Sequence, residues 1–137
     1  MSQLALNLDL QPANGGAHTA AGVTELVLSR DCPEHASLLY PMLAFLSRQT
    51  QNQWITWVAP EGIDRQLFAD YGVDTDKIRL VYPNSRTEVL QLIGQALALG
   101  NSHTVIANPG KLNDRELRQL ESAAHQGQTQ GLLLRLR

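Results

Sequence analysis

This sequence is short of the groups on which chemistry most often rests. It has one cysteine, Cys32, so no internal disulfide and no Cys-x-x-Cys metal pair can form. A lone thiol fits a reducing compartment. The four histidines, His18, His35, His103 and His125, never stand three or four residues apart. Paired histidine ligands on one helix are therefore excluded, and no cofactor or metal is expected. Charge of one sign is also missing: 11 basic and 13 acidic residues leave a net charge of −2. That is no footprint for a phosphate backbone, so nucleic acid is not expected as the main partner. No apolar run approaches the roughly 18 residues of a membrane helix. Met1 to Leu10 carries Asp9 and no basic residue, unlike a secretory signal. A soluble, cytoplasmic protein is expected.

What remains is ordinary globular material. The 137 residues are 43% hydrophobic and 18% charged. A chain of this length buries roughly two-thirds of its unfolded surface and folds without staples. Gln11 to Gly22, QPANGGAHTAAG, is small, polar and without period. The expected organisation is a flexible segment and linker over 1–22 and one domain over 23–137.

From there the pattern alternates. Strands are expected at Thr24–Ser29, Gln53–Pro60, Ile78–Tyr82, His103–Ala107 and Leu132–Leu136, where aliphatic, aromatic and β-branched residues cluster. Between them lie helical patterns. Leu38, Leu39, Met42, Leu43 and Leu46 repeat at three and four residues, with Pro41 expected to kink or break the helix. Asp64 caps a short helix carrying Leu67, Phe68 and Tyr71, and Gly72 ends it. Ser85 and Glu88 form a capping box before Val89, Leu92, Ile93, Ala96 and Leu97, and that helix stops at Gly100. Asn113 and Glu116 form another, and the helix runs to Gly127. Five strands alternating with four helices imply a mostly parallel five-stranded α/β sheet with flanking helices.

Parallel sheets bind ligands beyond the carboxyl ends of their strands. A phosphate loop there needs glycines, a lysine and a hydroxyl. The first strand–helix turn instead reads Ser29-Arg30-Asp31-Cys32-Pro33-Glu34-His35, with no glycine, no lysine and two carboxylates. The phosphate loop is absent at this position. Cys32 with His35 is the one nucleophile–base pair to weigh, against the plainer reading of a loop cysteine beside a capping segment. No serine sits in a Gly-x-Ser-x-Gly elbow. Asp64, Asp70, Asp74 and Asp76 read as a solvated face. A non-enzymatic binding protein is expected, with no small-molecule substrate.

The chain resembles the SulA family of SOS-induced bacterial cell division inhibitors. The likeness is carried by Thr24-Glu25-Leu26, Leu39-Tyr40-Pro41-Met42-Leu43, and Trp54-Ile55-Thr56-Trp57-Val58-Ala59-Pro60. It continues through Gly72 with Lys77 five residues on, Gly100-Asn101-Ser102-His103-Thr104-Val105, Ala123-Ala124, Gly127 and the final strand. It spans about Val23 to Arg137. The resemblance implies a RecA-like fold of the P-loop NTPase type without its phosphate loop. It implies that the partner is FtsZ, the tubulin-like GTPase of the division ring, covered on its T7-loop face so that polymerisation and GTP hydrolysis both stop. It also implies LexA-controlled expression after DNA damage and removal by the Lon protease. Some relatives end in a polar tail that Lon recognises. This sequence ends at Arg137 with its last strand, so recognition through such a tail is not expected.

The same resemblance supplies candidate FtsZ-binding residues. An arginine before the first tryptophan is Gln53 here, a departure. Val58 keeps the aliphatic type after the second tryptophan, Trp57. Leu67, or Phe68 with a one-residue gap, matches a large apolar position in the short helix. Lys77 matches a lysine after it. Core packing is the competing reading for Val58 and Leu67.

Gln3-Leu4-Ala5-Leu6-Asn7-Leu8 resembles the peptide by which replication and repair proteins dock on the bacterial sliding clamp, through Gln3, Leu4, Leu6 and Leu8. A loose amphipathic tail or an added strand is the competing reading. The clamp-like peptide suits a second function, an accessory protein of translesion synthesis resembling the ImuA family, which shares the Thr-Glu-Leu start and the proline-ended strand. A homodimer is left open.

Overall fold

The computed structural model describes residues 21–29, 38–50 and 52–136. Among them the strands are β1 (Gly22–Leu28), β2 (Trp54–Val58), β3 (Ile78–Val81), β4 (Ser102–Ala107) and β5 (Gln130–Leu136). The helices are α1 (Leu39–Gln49), α2 (Arg65–Asp70), α3 (Arg86–Leu99) and α4 (Asp114–Gly127), with a 3-10 turn at Thr75–Lys77. The strands form one sheet in the order β1-β5-β4-β2-β3. Every pairing is parallel. The expected five-stranded α/β fold is therefore present, and its sheet is wholly parallel.

The two-residue period of the strands divides the core. Ile55, Trp57, Ile106, Leu132 and Leu134 pack with α1 residues Leu39, Met42, Leu43 and Leu46, and with Phe68 of α2. Val58, Val105, Ala107 and Leu133 pack with Ile93 and Leu97 of α3 and with Leu120 and Ala124 of α4. A sheet buried on both faces needs continuous apolar runs, which Val105–Ala107 of β4 and Leu132–Leu134 of β5 supply. The hydroxyls enclosed within it find partners: Thr56 Oγ1 and Ser102 Oγ lie 2.7 Å apart. Thr129 Oγ1 donates to the Leu97 carbonyl at 2.9 Å.

Two local expectations are corrected. Pro41 neither kinks nor breaks its helix. It stands in the first turn of α1, where the amide it lacks has no intrahelical acceptor to lose. Ser85 occupies the N-cap of α3 without making a side-chain cap bond. Its hydroxyl pairs with Thr87 Oγ1 at 2.9 Å, and Glu88 accepts from the Asn84 amide at 3.0 Å. The box at Asn113 and Glu116 forms fully. Asp64 and Asp74 stay exposed, as expected of a solvated face, and each also accepts the backbone amide two residues on.

The carboxyl halves of α3 and α4 approach so closely that only hydrogen fits between them. A Cβ on Gly127 would collide with the carbonyl oxygen of Leu97. Gly100 answers it with φ of +79°, closing α3 in the left-handed region that a side chain resists.

Candidate functional site

Gln53, Trp54 and Lys77 lie at or just before the amino ends of β2 and β3, on one end of the sheet. Gln53 is half-buried, and its Nε2 reaches the Ser102 carbonyl at 3.5 Å. Lys77 ends the 3-10 turn, its ammonium 2.6 Å from the Thr50 carbonyl and 3.9 Å from Asp74 Oδ2. Trp54 is 39% exposed at the start of a strand whose other residues are buried. Across from it, the guanidinium carbon of Arg79 sits 5.4 Å from the Trp54 ring centroid, in cation–π range. Arg79 Nη2 also donates to Thr56 Oγ1 at 3.2 Å and approaches Asn101 Oδ1 at 3.5 Å.

The other residues implied by the resemblance lie elsewhere. Trp57 is 4%, Val58 0% and Phe68 4% exposed, so all three are core side chains that a partner cannot touch in this conformation. Leu67 is half-buried against the α1–α2 cluster. Tyr40 explains the aromatic concentration there. Its ring lies 5.6 Å from Phe68 and 6.0 Å from Tyr71, and its hydroxyl accepts the Asp64 amide at 3.1 Å. Much of the apparent interface chemistry between Trp54 and Lys77 is thus internal packing of α1 on α2.

Arg79 was not among the residues singled out in the sequence. An alternating reading of Ile78-Arg79-Leu80 places it on the same face of β3 as its β2 partner Thr56. What the sequence does not carry is the registration that sets it beside Trp54.

Open depressions lie among the described residues. One, of about 500 Å³, runs between α3 and α4 past Leu90, Gly94, Ala98 and Leu120. Another, of about 370 Å³, lies at the carboxyl side between Pro60, Tyr82, Pro83 and Arg86. No group of three His, Cys, Asp or Glu side chains that could hold a metal occurs among the described residues. No helix among them is long and apolar enough to cross a membrane. Cys32, His35 and the clamp-like peptide with Gln3, Leu4, Leu6 and Leu8 lie outside the described residues. So does most of the turn whose composition excludes a phosphate loop.

Among the described residues, His103 has a perturbed acidity. Burial at the start of β4 disfavours its charged form and lowers its pKa. Its Nδ1 lies 2.8 Å from the Thr104 hydroxyl.

Comparison with known proteins completes the picture. The family model described as "Cell division inhibitor SulA" matches residues 21–131. The Cell division inhibitor SulA of Pseudomonas aeruginosa is 33% identical over 127 residues, covering 91% of this chain and 78% of that protein. That of Serratia marcescens is 27% identical over 133 residues, covering 96% and 74%. The crystal structure of SulA from Pseudomonas aeruginosa superposes with a TM-score of 0.77 at 34% identity, covering 86% of this chain and 99% of that one. By sequence across almost the whole described domain, and by fold, this chain belongs to the SulA family of cell division inhibitors.

Proposed function

We propose that this chain stops cell division by binding FtsZ on the face that carries the T7 loop, as part of the response to DNA damage. An FtsZ subunit must insert that face into the nucleotide pocket of its neighbour to complete GTP hydrolysis. Covering it blocks assembly and hydrolysis together, and the inhibitor needs no chemistry of its own. The observation that carries this reading is the family match over residues 21–131. The amino end of the sheet supports it physically. It offers an exposed tryptophan and an arginine, residue types enriched at the energetic centres of protein interfaces, with amides around them.

The test is sedimentation of FtsZ with GTP. Equimolar protein should abolish pelleted polymer, and unchanged polymer mass would overturn the reading.

A further inference from the structure

Arg79 has no carboxylate in ion-pair contact among the described residues, where the Lys and Arg ion pairs are Lys77–Asp74 and Arg135–Glu25. Its Nε is enclosed with no acceptor among them. Such a donor costs free energy unless something offsets it. Yet the side chain is held in place: the Trp54 ring lies under its guanidinium, and Thr56, itself bonded to Ser102, accepts from Nη2. The result is a fixed, uncompensated cation beside a tryptophan that the fold leaves 39% exposed. Exposed Asn101 and half-buried Gln53 supply a polar rim.

We infer that the Trp54–Arg79 pair anchors a carboxylate-bearing segment of the protein partner, FtsZ on the reading above, on which this inference rests. Charge complementarity selects the occupant. A guanidinium without a counter-ion fits a carboxylate, which it meets by a charge-assisted hydrogen bond from the edge that Thr56 and Asn101 leave open. A nucleic-acid surface would need an array of cations, which a net charge of −2 with a single free guanidinium at this site does not provide. The arginine loses little rotamer freedom on binding because Thr56 and Trp54 already hold it. The tryptophan face buries apolar area around the ion pair and excludes water from it.

The experiment titrates FtsZ GTPase with the full-length protein and with Trp54→Ala, Arg79→Gln and Arg79→Glu. Far-UV circular dichroism and thermal melting are run on each. Among variants that melt like the wild type, the half-inhibitory concentration should rise about tenfold or more. Arg79→Glu should be the worst, because it meets a carboxylate with a carboxylate. Raising salt from about 50 to about 300 mM should weaken the wild type and leave Arg79→Gln nearly unaffected. Folded Arg79 variants that inhibit as well as the wild type overturn the anchor while leaving FtsZ as the target. A wild-type protein without effect on FtsZ overturns the target itself.

Discussion

The Lys77 ammonium donates a 2.6 Å hydrogen bond to the Thr50 carbonyl, tying the residue that caps the end of α1 to the turn before β3. A cation at a helix carboxyl end also meets the negative end of the helix dipole. Lys77 is therefore a structural strut as well as a residue at the candidate interface. Lys77→Met should lower stability by about 1–2 kcal/mol, as expected for a hydrogen bond to a charged group. Lys77→Glu should cost more, because it sets a carboxylate against a carbonyl. Urea unfolding measures both, and an unchanged midpoint for Lys77→Met would show the strut to be idle. Weaker FtsZ inhibition at full folding would assign Lys77 a contact of its own.

Trp57 and Gln53 should separate core from surface. Trp57 is 4% exposed between sheet and helices, so Trp57→Ala should cost about 3–5 kcal/mol and abolish activity by unfolding. Gln53→Ala loses only a 3.5 Å contact and should change stability by no more than about 0.5 kcal/mol. Equal destabilisation by the two substitutions would refute this assignment.

Gly127→Ala tests the helix crossing. Its Cβ would collide with the Leu97 carbonyl, backbone that cannot move aside without shifting α3. A loss of about 3 kcal/mol or more is expected, measured as a drop in the urea midpoint. Gly62→Ala is the comparison. Its Cβ meets open space, and only its φ of +64° is penalised, by about 1 kcal/mol. A milder effect at Gly127 than at Gly62 would mean that the helices are not in contact there.

His103 predicts the direction of a pH effect. Its folded pKa is lowered by burial, so the unfolded chain binds the proton more readily. The stability associated with neutral His103 is fully present above its unfolded value of about 6.5. It is lost as pH falls from there through the lowered folded value. The urea midpoint should drop between about pH 7.5 and pH 5.5, and His103→Gln should flatten that drop. An identical slope in the variant would remove His103 as its cause.

The alternation of elements was legible in the sequence because apolar periodicity and caps are local signals. Which face each residue of Val105-Ile106-Ala107 and Leu132-Leu133-Leu134 takes is settled by the structure: Ile106, Leu132 and Leu134 meet α1, and Val105, Ala107 and Leu133 meet α3 and α4. Pro41 was misread because a proline within an apolar repeat looks the same at the first turn as in the middle, and only the helix start distinguishes them. Ser85 was misread because its hydroxyl had a nearer partner in Thr87. The site was less legible. Trp57, Val58 and Phe68 carry the apolar character of an anchor, and burial alone separates an anchor from a core residue. Arg79 beside Trp54 is a relation between two strands, set by the register that pairs Thr56 with Arg79, and no local pattern announces it.

On the proposed function, the protein acts by occupying FtsZ rather than by transforming it. The most direct measurement is steady-state FtsZ GTPase activity against rising amounts of this protein. Activity should fall in proportion to the inhibitor added, reach its floor near one inhibitor per FtsZ, and hold the same value at every time of preincubation. A rate untouched by excess protein would contradict the target. Progressive loss of activity with time at substoichiometric amounts would contradict a mechanism of occupancy.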